Sequence, residues 1–336
     1  MTRGQGGRTG PQPMPAAAIA GGLAAQVVRW QRRHGRHGLP WQGTRDPYRV
    51  WLSEVMLQQT QVSTVLDYYP RFLARFPSVQ ALAAAPLDDV LALWSGLGYY
   101  SRARHLHQCA QQVVAVHGGA FPASSAALAT LPGVGRSTAA AIAAFCFGER
   151  AAILDGNVKR VLTRVLGFDG DLALAAEERR LWAAAESLLP ARAVDVYTQG
   201  LMDLGATLCK RARPDCPRCP FADDCVANRD GRQAELPAAR PRKALPERAT
   251  VMLVLWHGGE ILLLKRPPTG IWGGLWSLPE SDSATPAAVC GMMMGRSMIP
   301  STMFFPGNSL RARMYARGTP STAAASSTTT TRRCRP

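Results

Sequence analysis

Apolar residues recur at steps of three and four along most of the first 230 positions, the spacing of amphipathic helices. Ala17 to Arg33 is one such run. Tyr48 to Phe76 carries Val50, Trp51, Val55, Leu57, Val62, Val65 and Leu66 on a helical face, with a break expected near the Gln58–Gln61 run. Between Leu87 and His107 the helical pattern is interrupted at Gly96 and Gly98, just before an aromatic pair and three basic residues. An Ala-rich stretch from Ala139 to Phe147 reads as a buried helix, with Ser137 and Thr138 as its N-capping chemistry and Gly148 as its stop. Helix returns over residues 171–205, with Leu181, Trp182, Leu188 and Leu189 as core. The period then changes: after Arg248, VMLVLW and ILLLKRP flank the turn His257-Gly258-Gly259 and read as strands. Beyond Asp282 neither period is visible.

These patterns predict a mainly α, two-lobed core followed by an incomplete α/β appendage. The expected divisions are a disordered Gly/Pro/Arg-rich start (1–16), a helical core (17–227), a Pro/Arg/Ala-rich linker (228–245), a β-containing start of a further domain (246–281) and an aberrant basic tail (282–336). The chain carries a net charge of +16 and a pI near 10.2, which suits a polyanionic partner. Seven of those charges are arginines after Asp282, where no Asp, Glu or Lys occurs, but the part before it is still basic. No apolar run reaches bilayer length and the first sixteen residues lack a signal-peptide core, so a cytoplasmic protein is expected. Its eight cysteines are then thiols or metal ligands rather than disulfides.

Three constellations carry chemistry. Leu131-Pro132-Gly133-Val134-Gly135 places two glycines two apart before a helix start, a turn able to lie close to a partner and to offer amides to a phosphate. Asp155 follows in an apolar context, with Asn157, Lys159 and Arg160 behind it. Glu54 lies among apolar residues of an earlier helix; burial raises a Glu pKa towards neutrality, as a general acid needs, although an arbitrary Glu there is more often a surface residue. Cys209, Cys216, Cys219 and Cys225 pack four thiols into seventeen residues, a metal-binding density whose spacing leaves zinc and iron–sulfur both open. Cys109 and Cys146 read as small core residues.

The strings LPGVGRSTA and ILDGNVKRV resemble the helix-hairpin-helix and catalytic-Asp segment of base-excision DNA glycosylases, and WLSEVMLQQTQV is similar to the segment that carries the catalytic Glu of the adenine DNA glycosylases. The resemblance implies catalytic roles for Glu54 and Asp155, with Asn157 orienting the carboxylates. It implies DNA contacts by Gln59, Thr60, Leu97, Tyr99, Gly133, Gly135, Ser137 and Lys159, Gln59 wedging the duplex while Leu97 and Tyr99 meet 8-oxoguanine. The six-two-five cysteine spacing resembles the [4Fe-4S] loop of this family, with a structural and DNA-docking role.

The implied activity is hydrolysis of the N-glycosidic bond of adenine mispaired with 8-oxoguanine or guanine in double-stranded DNA, by a monomer acting in base excision repair. The related endonuclease III has Lys where this chain has Ser137, and a hydroxyl cannot form its Schiff base, so no strand-nicking lyase step is expected. GIWGGLWSLPE resembles the start of a nudix-like domain that recognises 8-oxoguanine. The Phe-Ser/Thr-His lesion motif is absent, since no His follows His257. The alternatives are an endonuclease III-like pyrimidine-damage glycosylase with lyase activity and a non-catalytic DNA-damage-binding protein.

Overall fold

The computed structural model describes residues 16–238, 250–257, 260–281 and 302–306. The chain divides into two compact units, one of residues 1–84 and 105–242 and the other of 85–104 and 243–336. The second unit takes in residues 85–104, which a division by sequence position leaves within the helical core. They group with the C-terminal segment because Asp88 forms an ion pair with Lys265 at 2.9 Å and Arg104 Nη1 donates to the Gly273 carbonyl at 2.5 Å.

The helices follow the apolar spacing. They are α1 (Ala16–His34), α2 (Pro47–Leu57), α3 (Val62–Arg75), α4 (Val79–Ala84), α5 (Leu87–Trp94) and α6 (Tyr100–His117). After them come α7 (Ser125–Leu128), α8 (Arg136–Ile142), α9 (Gly156–Leu166), α10 (Ala175–Ser187), α11 (Val194–Thr207) and α12 (Val226–Arg229). Among the described residues no helix is long and apolar enough to cross a membrane.

Asp46 opens α2 by accepting the Tyr48 amide at 2.9 Å, with Pro47 at the first helical position, where a missing N–H costs nothing. The chain breaks at Gln58–Gln61, as the polar run suggests, before α3 begins. A π-helical turn over Ala143–Phe147 continues α8, and Gly148 ends it at φ +70°. The capping expectation is corrected here. Gly135, with no side-chain bond, is the N-cap of α8, and Ser137 and Thr138 lie inside the helix.

The core of the first unit is built around α9, α10 and α11, with Val27 and Trp30 of α1 against them. Glycines set two of its closest approaches. A Cβ on Gly200 of α11 would stand 2.6 Å from Val27 Cγ1 of α1, and one on Gly205 would stand 2.5 Å from the Cβ of Asn157 and 3.0 Å from its Cα. Gly133 needs both of its freedoms: it sits at φ +73°, and a Cβ there would meet His105 Cβ at 2.6 Å. Cys109 and Cys146 are buried, as their apolar surroundings predict.

In the second unit β1 (Val251–Met252) pairs antiparallel with β5 (Glu280–Ser281). β3 (Glu260–Lys265) pairs antiparallel with β2 (Trp256–His257), with β4 (Trp276–Ser277) and, along five residues, with β6 (Thr302–Pro306). The last pairing departs from the expectation of a tail without regular structure. Backbone pairing along β3 offers hydrogen bonds that five residues can accept without a long periodic pattern. The expected disordered start, the second half of the linker and most of the tail lie outside the described residues.

Replacing Gly205 by Ala should cost about 1–3 kcal/mol, because the new methyl presses on the backbone of Asn157. Gly22→Ala, an exposed position in α1 with nothing within 4 Å of its Cβ, should be neutral or stabilising by roughly 0.5–1 kcal/mol. Thermal unfolding of both variants checks the contrast; equal effects would contradict it.

Candidate active site

A cleft of about 1400 Å³ opens in the first unit. Its walls come from the loop Arg36–Arg45, the third turn of α2, the Gln58–Ser63 corner, the start of α8, the segment Ile153–Arg160 and one face of α11. Both acidic residues singled out from the sequence line it.

Glu54 sits on α2 between the buried residues Leu52, Ser53, Val55 and Met56, with only its cleft side open. Loss of solvent, and then the negative charge of Asp155, push its carboxyl up to about 8. Asp155 ends the extended stretch before α9 and caps that helix, accepting the Val158 amide at 2.7 Å. Burial raises its carboxyl above the usual range. The amides of Val158 and Asn157 and the charges of Arg160 and Lys159 act in the opposite direction. The two carboxyls thus share one poorly solvated space, but only Asp155 has a helix N-terminus and cations beside its anion.

Asn157 is held from two sides. Gly205 leaves room for it, and Arg160 Nη2 donates to its Oδ1 at 2.8 Å and to the Gly205 carbonyl at 2.7 Å. Arg160 Nε also donates to the Cys209 carbonyl at 2.7 Å, so one guanidinium joins the Asp155 loop to the first cysteine. Sequence reasoning passed over this role. The available signal was that Asn157, Arg160 and Arg164 repeat at three and four on α9, one face directed at the cysteines.

Ser137 lines the cleft, and its Oγ accepts the Leu154 amide at 2.8 Å, tying the residue before Asp155 to α8. Thr138 Oγ1 accepts from Gln58 Nε2 at 3.4 Å. Gln59 is exposed at the corner with φ +58°, a left-handed conformation uncommon for a residue with a side chain, and Thr60 lines the cleft beside it. Gly135 has open space around its Cα.

Lys159 pairs with Glu178 of α10 and lies outside the cleft lining, one helical step from the face that carries Asn157 and Arg160. In the second unit Leu97 is only 6% exposed whereas Tyr99 is 61% exposed with φ +47°. The apolar Leu97 side chain takes the inside of the α5–α6 corner, which leaves Tyr99 as the presented member of that pair.

Cys209, Cys216, Cys219 and Cys225 line one small cavity whose other walls include Val161, Leu204, Leu208 and Phe221. Arg164, itself buried, donates from Nη1 to Cys209 Sγ at 3.4 Å and to the Lys210 carbonyl at 2.7 Å, and Gln233 Nε2 stands 3.9 Å from Cys216 Sγ. Burial, opposed by the Phe221 amide and reinforced by the other cysteines, pushes the Cys219 thiol up to about 12, and Cys225 is raised in the same way. Four half-buried sulfurs on one cavity, with side-chain N–H donors at Cys209 and Cys216 and backbone amides at Cys219 and Cys225, are a donor set that fits a thiolate-bound metal group. Among the described residues no three His, Cys, Asp or Glu side chains close on a point as the ligands of one ion do; the sulfurs line the cavity walls instead.

The geometry can be set beside known proteins. Residues 52–186 match the HhH-GPD superfamily of base excision DNA repair proteins, and residues 250–303 match the NUDIX domain. The adenine DNA glycosylase of Buchnera aphidicola subsp. Acyrthosiphon pisum (strain APS) is 37% identical over 263 residues, 78% of this chain and 75% of that protein. The adenine DNA glycosylase of Homo sapiens is 37% identical over 309 residues, 76% of this chain and 56% of that one. A thermostable thymine-DNA glycosylase superposes with a TM-score of 0.58 at 28% identity, covering 63% of this chain and 98% of its own. A non-covalent endonuclease III–DNA complex gives 0.55 at 21% identity over 65% and 99%, a likeness of fold. From the match to the Buchnera aphidicola protein over three quarters of that protein's length, and from a helix-hairpin-helix core that carries a paired Glu and Asp, the chain belongs to the adenine DNA glycosylases of the HhH-GPD base excision repair superfamily.

Proposed function

We propose that this protein hydrolyses the N-glycosidic bond of adenine mispaired with 8-oxoguanine or guanine in double-stranded DNA, acting as a monomer in the cytoplasm without nicking the strand. The observation that carries the reading is the pairing of Glu54, raised to about 8, with an Asp155 whose anion a helix start supports, in one open cleft. Adenine enters the cleft flipped out of the duplex. Protonated Glu54 gives its proton to a ring nitrogen, and the C–N bond breaks with its electrons going to the base. Positive charge gathers on the sugar, where the Asp155 carboxylate stabilises it. Water then adds to the anomeric carbon as Glu54 takes its proton back, which restores the acid. Asn157, fixed by Arg160, holds the loop around Asp155. Ser137 supplies no amine for a Schiff base, and its hydroxyl accepts the Leu154 amide.

Gln59 and Thr60 at the α2–α3 corner face the duplex, with Gln59 as the wedge, and Gly133 and Gly135 approach the phosphates. Tyr99, rather than the buried Leu97, meets the lesion. The NUDIX-matching unit serves lesion recognition. Lys159 is left out of the phosphate contacts, since Glu178 takes its charge. Cys209, Cys216, Cys219 and Cys225 would hold a [4Fe-4S] cluster, whose bonds to four sulfurs would fix the shape of the loop; Arg160 and Arg164 bind that loop's carbonyls to α9.

Single-turnover assays on duplexes with adenine opposite 8-oxoguanine, guanine or cytosine, read with and without alkali, test the reading. Alkali-dependent cleavage at adenine opposite the first two is expected, and Glu54→Gln should lose at least about a hundredfold in rate while still binding the duplex. Cleavage without alkali points to the lyase alternative, and no cleavage at adenine overturns the proposal. The excision rate should also fall as pH rises through about 8, where Glu54 loses its proton. Because the folded pKa lies above the unfolded one, the folded state holds the extra proton, and stability is lost from about 4.5 to about 8. Glu54→Gln should therefore unfold at a higher temperature than the parent at pH 8, the gap closing towards pH 4.5. A gap independent of pH would contradict this. Iron and acid-labile sulfide near about four of each per chain are expected, and stoichiometric zinc in their place would overturn the cluster assignment.

A further inference from the structure

Asp203 is the charged residue of α11 with 0% exposure, and its partners Arg36 and Gln199 line the cleft. Three donors converge on its carboxylate. The Arg36 amide reaches Oδ2 at 2.9 Å, Arg36 Nε reaches Oδ1 at 2.7 Å, and Gln199 Nε2 reaches Oδ1 at 2.9 Å. Arg36 begins the loop that forms one cleft wall and carries Leu39, Trp41 and Arg45 into it. The loop is further closed on itself, Gln42 donating to the Arg36 carbonyl at 3.1 Å and accepting the Leu39 amide at 3.1 Å. The wall is therefore a small closed turn whose Arg36 end is held by one buried carboxylate, while Trp41 packs on Tyr69 and His37 meets the Gln31 carbonyl at 3.0 Å. A buried carboxylate has a large desolvation cost, and its pairing with both the backbone and the side chain of one residue fixes position and orientation together.

We propose that Asp203 is a positioning residue for excision: through Arg36 it latches the Arg36–Arg45 wall against the space that the target base enters, and through Gln199 it fixes an amide that lines the same cleft. The proposal rests on the function given above for the cleft. It adds that base positioning depends on a latch which touches neither the base nor the two catalytic carboxylates. A misplacement of about 1 Å in such a wall costs roughly a hundredfold in rate when it disturbs the reacting geometry.

Two readouts on the full-length protein test it, with the variants Asp203→Asn, Arg36→Ala and the double variant. The first is tryptic cleavage after Arg36 and Arg45 under native conditions, which reads the latch without any activity. The second is the single-turnover excision rate at saturating enzyme, which is independent of the fraction of enzyme that is folded. The latch predicts severalfold faster cleavage in Asp203→Asn at Arg45, and a rate at least about tenfold lower in both single variants. It also predicts a double variant no slower than the worse single one, the non-additivity of a shared interaction. Unchanged proteolysis overturns the latch whatever the activity. Faster proteolysis with an unchanged excision rate, or rate losses that multiply in the double variant, overturns the positioning role. A parent that excises no adenine sinks the proposed function instead, and the proteolysis still decides the latch.

Discussion

Two carboxyl groups that face one poorly solvated cleft cannot both be ionised cheaply, and the architecture follows from keeping them there. Glu54 comes from α2 and Asp155 from the start of α9, elements a hundred residues apart in sequence. The chain makes them unequal. α2 surrounds Glu54 with buried apolar neighbours and Asp155 adds a negative charge beside it, so Glu54 holds its proton. The start of α9 offers Asp155 two amides and the charge of Arg160, so its anion is the better supported of the two. An acid and a charge stabiliser thus arise from the same functional group by environment alone.

The supports behind that pair are held by close packing. α11 has no side chain at Gly200 or Gly205, which lets α1 approach on one side and Asn157 on the other. Arg160 then spans from Asn157 to the Cys209 carbonyl, and Arg164, one turn later, binds the carbonyls of Lys210 and Arg211. The four-cysteine loop is therefore the outer anchor of the catalytic loop, and a charged group bound by its sulfurs would stiffen both at once. Asp203 gives the Arg36–Arg45 loop of the same cleft an anchor of its own.

Much of this was legible in the sequence because it lies in local strings. The α2–α3 break at the glutamines, the Gly133 turn, the Gly148 stop and the cysteine loop each sit within a few residues of their cause. What was not legible depends on partners far along the chain. Ser137 reads as a cap, yet the fold brings Leu154 to it and moves the cap back to Gly135. Lys159 reads as a free cation until α10 places Glu178 beside it. Leu97 and Tyr99 are alike in sequence terms, and only the turn at the corner decides that one is inside and the other out. Asp203 looks like a helix-surface acid until Arg36 arrives from 167 residues away. β6 pairs with β3 across a long stretch of sequence, which no local pattern announces.

The most direct test of the account is the proton on Glu54 itself. A pH-dependent infrared difference between the parent and Glu54→Gln isolates its carboxyl stretch. The account predicts a protonated carboxyl through neutral pH with a midpoint near 8, falling when Asp155 is replaced by Asn. A midpoint near the ordinary value of 4.5, unmoved by that replacement, would contradict it.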